Sequence, residues 1–234
     1  MLAIFKREFK TYFKNPLGYI FLAVLWLIAG YYFRSYNLEG YSTDLMSVFS
    51  IIYNMSLFLV PLLTMRLMSE DRRQKTDQAL LTAPISLLSL VMGKFLSAMA
   101  LYICGTSITL VYALFMSAYS AVEWSVVISC FIGINLAGGA LIAIGLFVSS
   151  FTENQMIAAI LGIAANIFVS LFDLLADVVN VSFIKSVILG ASFDENFTNF
   201  SIGTIDLGGL VFFLSVIGIF IFLTIRMLDR RRWA

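Results

Sequence analysis

The chain has no histidine, only two cysteines and three prolines, and just 12% of its 234 residues are charged. Without histidine there is no imidazole general acid–base chemistry, no Ser/His/Asp triad and no histidine metal site. Cys104 and Cys130 both fall inside apolar runs, so they are expected to be buried thiols rather than a disulfide or a metal pair. No G-x-x-x-x-G-K-[ST] phosphate loop, carboxylate pair, metal-ligand cluster or nucleophile elbow occurs. Catalysis by this chain is not expected, nor a metal or cofactor bound by it. The formal charge of +1 and the lack of any RNA- or DNA-module pattern exclude nucleic acid as a partner.

What is present is apolar. Hydrophobic residues make up 61% of the chain and the mean hydropathy is +0.96, whereas a soluble domain is only about half apolar and about a quarter charged. At about 20 residues per span the length accommodates at most about eight spans, with no large soluble domain expected beside them. Six runs of bilayer length can be read: Leu17 to Phe33, Leu45 to Met65, Phe95 to Ser117, Ser125 to Val148, Met156 to about Leu175, and Leu207 to Ile225. Backbone groups in hydrocarbon must be satisfied within their own segment, so each run is expected to be a helix. The fold class expected is all-α: a polytopic membrane protein of six transmembrane helices, with residues 1–234 forming one membrane domain.

Thirteen of the fifteen Lys and Arg residues fall before span 1, between spans 2 and 3, or after span 6. Only Arg34 and Lys185 are left for the other side. That asymmetry places both termini and residues 66–94 in the cytoplasm of a multi-pass protein of the cell membrane. Glu39, Asp44, Glu123, Asp194, Glu195 and Asp206 fall on the opposite side. The first apolar run ends in Tyr31, Tyr32 and Phe33 rather than at a small-residue cleavage site, so it is expected to be a retained span and not a secretory signal.

Residues 1–15 put Leu2, Phe5, Phe9, Tyr12 and Phe13 on one helical face, away from Lys6, Arg7, Lys10 and Lys14. An amphipathic helix in the membrane interface fits, with its lysines toward anionic lipid, before Asn15-Pro16 turns the chain into the bilayer. Residues 66–94 then form the most informative segment, a mixed-charge stretch followed by an apolar-tipped helix. Thr76 can cap that helix, Pro84 ends it, and Ser86 can start the next. Leu80 and Leu81 would offer apolar contact to a cytoplasmic partner, with Glu70, Asp71, Arg72, Arg73 and Asp77 offering charge; an ordinary solvated loop is the other reading. In the short connection at 149–155, Thr152 can cap the fifth span and Glu153 suits its N-terminal dipole.

Between spans 5 and 6, residues 176–206 hold an apolar stretch too short to span and then the polar run ASFDENFTNFSIGTID. A re-entrant or interfacial helix followed by a surface loop, or a simple loop throughout, fits equally. Asn54, Asn135 and Asn166 are the conspicuous polar groups within the spans, and could line a pathway or bond between helices. Gly138, Gly139 and Gly145 suggest close helix packing. Ionisable residues are missing from the span centres, Asp173 and Asp177 lying at the outer end of the fifth helix. Ion-driven transport usually requires such groups.

The segment M-S-E-D-R-R-Q-K-T-D-Q-A-L-L-T-A-P-I-S-x(6)-G-K-F resembles the ABC-2 type transporter permeases, above all their gliding-motility-associated subgroup. MLAIFKREFK-x(5)-P-x-G-Y-I, S-S-F-T-E-N-Q, F-S-I-G-T-I-D-L and the terminal L-D-R-R-R-W fit as well, so the resemblance covers the whole chain. It implies a permease subunit, an exporter by direction, that pairs with itself or a second permease and with separate ATP-binding subunits, which hold ATP and Mg. It further implies that Glu70 lies at the base of span 2. Lys75 to Thr82, including Gln78, would be the coupling helix that contacts the ATPase. Glu153, Asn154 and Gln155 would make a lesser contact. The competing functions are a gradient-driven carrier or channel, and a membrane scaffold or signalling subunit. The substrate is not encoded in any motif.

Overall fold

A computed structural model describes residues 1–40, 42–75, 86–171, 189–204 and 206–232. Among them the regular structure is helical throughout. Helix α1 (Leu2–Lys14) ends at Asn15, whose extended backbone and following Pro16 open α2 (Pro16–Tyr32). Proline at the first helical position loses no hydrogen bond, so it turns the chain without cost to the helix it starts. A π-helical stretch (Phe33–Glu39) continues α2. There follow α3 (Met46–Arg73), α4 (Leu87–Thr106), α5 (Ile108–Ser117), α6 (Trp124–Ser149), α7 (Gln155–Ser170), the short α8 (Phe193–Asn199) with a 3-10 turn (Phe200–Ile202), and α9 (Leu207–Arg232).

Five of these units are long and apolar enough to cross a membrane: Pro16–Glu39, Met46–Arg73, Leu87–Ser117, Trp124–Ser149 and Leu207–Arg230. Six were expected. The run beginning at Met156 is described as a helix of 16 residues, short of a bilayer's width, and its expected end near Leu175, with Asp173 and Asp177, lies outside the described residues. Helix α6 is central, with 78% of its apolar window buried, against 28% for α2 and 22% for α9. The glycines of α6 account for that position. A Cβ on Gly138 would strike the ring of Tyr102, and one on Gly145 would strike Thr64, so α4 and α3 close directly onto α6. Gly139 faces Ile217 of α9. Small residues at a helix crossing let backbones approach where no hydrophobic driving force does the work.

Two interruptions within the spans are stabilised by side chains. Pro61 in α3 has no N–H for the carbonyl of Leu57, and the amide of Asn166 on α7 donates to that oxygen at 3.5 Å. Between α4 and α5, Thr106 and Ser107 bond back to the carbonyls of Tyr102 and Ile103, while Trp26 of α2 donates to that of Gly105 at 3.0 Å.

Several local expectations change. Residues 66–73 are the last two turns of α3, not part of a loop. The cap of α7 is Asn154, which accepts from the Met156 N–H, while Thr152 accepts from Asn154 one step earlier; an Asx geometry two residues nearer the helix wins over threonine. Cys104 is exposed on the outer surface of α4, and only Cys130 is buried. The run ASFDENFTNFSIGTID is no surface loop: Ser192 caps α8, and Phe193, Phe197 and Phe200 are buried, Phe197 stacked on Tyr53 at 4.6 Å. Its aromatic spacing outweighs its polar composition. The re-entrant helix expected from residue 176 falls chiefly on 176–188, outside the described residues.

Candidate functional site

An ion-paired cluster gathers at one end of the bundle, where α3 finishes, α4 begins, and α1 and the α6–α7 connection meet them. Ser86 caps α4 by accepting from the Ser89 N–H at 3.2 Å, and two turns later α4 brings in Lys94. This lysine is only 1% exposed. Its ammonium pairs with Asp71 of α3 at 2.6 Å and with Glu8 of α1 at 3.3 Å, and donates to the carbonyl of Leu67. A buried ammonium has three protons to place, and here three acceptors from two other helices take them. Gly93 makes this approach feasible, because a Cβ there would lie 2.9 Å from Ile4 of α1.

A second set of bonds surrounds the first. Arg7 pairs with Glu8 at 2.6 Å. Arg66 donates through Nε to Glu70 at 2.6 Å, and Gln74 donates to the same carboxylate at 3.1 Å. Asn15, at the α1–α2 corner, accepts from the Arg66 guanidinium at 3.1 and 3.2 Å with its amide oxygen turned inward. The Tyr12 hydroxyl donates to the Leu63 carbonyl at 3.2 Å. Burial foremost, and then the neighbouring Glu8 charge, push the Tyr12 phenol far above its usual range, so it stays a donor at any working pH. Arg72 crosses to the α6–α7 connection, donating to the Ser150 carbonyl at 3.3 Å and pairing with Glu153 at 3.0 Å. The remaining space between Glu8, Tyr12, Arg66 and Glu70 is about 20 Å³, room for about one water.

Helix α3 then ends abruptly. Lys75 has φ of +57°, the left-handed conformation that stops a helix, and its N–H bonds to the Arg72 carbonyl at 3.0 Å. Arg73, Gln74 and Lys75 are exposed there.

The geometry divides the residues singled out in the sequence. Glu70, Asp71 and Arg72 are ion-paired within the chain, so they hold helices together instead of standing free for a partner. Glu153 is paired too, though its side chain is 63% exposed, and Asn154 is occupied as a cap. Thr76, Asp77, Gln78, Leu80, Leu81 and Pro84 lie outside the described residues. Among the intramembrane amides, Asn135 accepts from Thr106 at 3.0 Å and Asn166 reaches Leu57, both between helices, whereas Asn54 is exposed and donates to the Ser50 carbonyl of its own helix. Sequence reading missed Glu8 and treated Lys94 as one more topological charge. The signal for both was present: a lone acid in a basic helix, and a lysine next to a glycine inside an apolar run.

At the opposite end a cavity of about 330 Å³ lies between the α3 and α6 starts, with Asp44 and Glu123 exposed at its rim and Phe49 and Val127 inside. No group of three or more potential metal ligands occurs among the described residues.

A bundle of apolar helices of membrane length, centred on one buried helix and carrying an ion-paired cluster at one end, defines a multi-pass transmembrane protein. The chain belongs to the ABC-2 type transporter family, whose model matches residues 1–173. That family is the permease component of a transporter, the membrane part as distinct from the ATPase. No curated protein matches the chain.

Proposed function

We propose that the chain is the membrane subunit of an ATP-binding cassette exporter, driven by separate ATPase subunits that bind ATP and Mg. The segment between α3 and α4 would be the part they push. Leu80 and Leu81 would enter a groove on the ATPase, with Asp77, Gln78 and the exposed Arg73 and Lys75 around them. Glu153, Asn154 and Gln155 would stand at the margin of the same contact. The lysine–arginine asymmetry supports placing this end and both termini in the cytoplasm of the cell membrane. The similarity of residues 68–86 to the gliding-motility-associated permeases supports that subgroup as the nearest one.

The observation that carries this reading is the Lys94 cluster. It joins the helix entering the proposed coupling segment to the helix leaving it, and joins both to α1. Arg72 adds the α6–α7 connection. A push on the segment therefore reaches four elements at once, and a rigid terminus transmits displacement where a flexible one would absorb it. Buried ion pairs add little net stability but fix geometry, which suits this use. A second permease, identical or not, would complete the pathway, and two arrangements with different access to the two sides would alternate.

Purification in mild detergent with the cognate ATPase tests this. Wild-type chain should retain the ATPase, and changing Leu80 and Leu81 to Asp should abolish retention while leaving the chain folded. Retention by that double variant, or solute transport by the purified chain alone on an ion gradient, would overturn the proposal.

A further inference from the structure

Helix α1 has three distinct faces, and its charged face makes no ion pair beyond its own helix among the described residues. At roughly 100° per residue, Lys6, Lys10, Lys14 and Arg7 fall within an arc of about 100°. The three lysines are exposed and make no ion pair among the described residues, and the Arg7 side chain is 49% exposed even while it pairs with Glu8. The second face is an aromatic ladder, Phe5 to Phe9 at 5.7 Å, Phe9 to Phe13 at 5.2 Å and Phe13 to Tyr19 at 5.5 Å, which runs from α1 directly onto the membrane-facing side of α2. The third face turns inward, with Ile4 against Gly93, Glu8 on Lys94 and Tyr12 on Leu63.

From these three faces we infer that α1 is a binding surface for anionic phospholipid headgroups whose occupancy is relayed through Glu8 and the buried Lys94 to the end of α3. The occupant follows from charge and position. A row of unpaired ammonium groups beside a row of rings, continuous with a spanning helix, matches the phosphate layer lying above acyl chains. The relay follows from the shortness of the path. Glu8 lies between Lys6, Arg7 and Lys10 in sequence, and its carboxylate meets the one ammonium that also holds Asp71 and the Leu67 carbonyl. Headgroups that pull the lysine row toward the bilayer seat Glu8 on Lys94. When α1 lifts away, Lys94 loses one of its two carboxylates, and α3 loses the buried ionic link to α1 that supplements the Tyr12 and Asn15 hydrogen bonds.

This deepens the proposed function, on which it rests only for what the end of α3 drives. Its test needs no ATPase, so the two can fail separately. The full chain is placed in nanodiscs of phosphatidylcholine alone or mixed with phosphatidylglycerol, and amide hydrogen exchange is followed in residues 2–14 and 66–75. Anionic lipid should slow exchange about tenfold or more in both segments. With Lys6, Lys10 and Lys14 changed to Gln, neither segment should respond. With Glu8→Gln, α1 should still respond and the α3 segment should not. Soluble glycerol phosphate added to phosphatidylcholine discs should leave both segments unchanged. The inference is overturned if wild-type α1 ignores phosphatidylglycerol, if soluble phosphate reproduces the effect, or if Glu8→Gln leaves the α3 response intact.

Discussion

The two ends of the bundle are held together by different physics. At the charged end, one lysine with 1% exposure binds carboxylates from two other helices. At the opposite end the ion pair described, Arg34 with Glu39, lies within one stretch of chain with side chains 73% and 58% exposed. There cohesion comes from rings instead: Phe197 on Tyr53, Phe33 on Tyr112 at 4.3 Å, and Phe200 against Gly133. Ring contacts can slide with small changes in energy, whereas a buried ammonium that loses an acceptor has no solvent to replace it. The difference teaches which end should resist displacement between its helices and which should yield to it.

The largest effect should come from the lysine. Lys94→Met removes the buried ammonium that Glu8 and Asp71 share, Glu8 keeping Arg7, and should cost about 3–5 kcal/mol, the usual result of breaking a buried pair from one side. A thermal unfolding scan in detergent would read this as a large fall in Tm, partly recovered when Asp71→Leu is added. A smaller loss is expected in the middle of the bundle. Gly138→Ala forces its new methyl onto the Tyr102 ring, which also hydrogen-bonds Ser56 at 2.8 Å. Overpacking of this kind costs about 1–3 kcal/mol, and the same scan should show it. Gly133→Ala, where the obstacle is Phe200 at 2.8 Å, should fall in the same range and loosen the opposite end alone. The smallest effect belongs to Arg34→Gln, expected to change stability by less than about 0.5 kcal/mol because both partners are well solvated. If Arg34→Gln proved as damaging as Lys94→Met, the contrast between the ends would be lost.

Much of the architecture was legible because spans must be apolar and long. The starts of α2 and α4 fall where Pro16 and Ser86 put them, and α6 and α9 begin within a residue of the apolar runs read from Ser125 and Leu207. The run from Met156 was read as a sixth full span, and hydropathy continues smoothly past the 16 residues described as helix, so composition alone gives no stopping point. Helix α8 escaped notice for the opposite reason, since its polar residues outnumber its rings and burial of Phe193, Phe197 and Phe200 is decided by what packs over them. At the charged end the residue types were readable but their roles were not. Glu70, Asp71 and Arg72 look the same in sequence whether they face a partner or one another. Only the positions of Arg66, Lys94 and Glu153 across the chain decide between those.

The most direct test of the proposed ATP-driven motion at this end uses a single reporter. In a Cys104→Ser background, the exposed Gln74 is changed to Cys, and its alkylation rate is measured for the chain bound to its ATPase, with and without ATP. A rate that changes severalfold with ATP, and no longer changes when Leu80 and Leu81 are Asp, is the expected result. A rate indifferent to ATP in the intact complex would contradict the account.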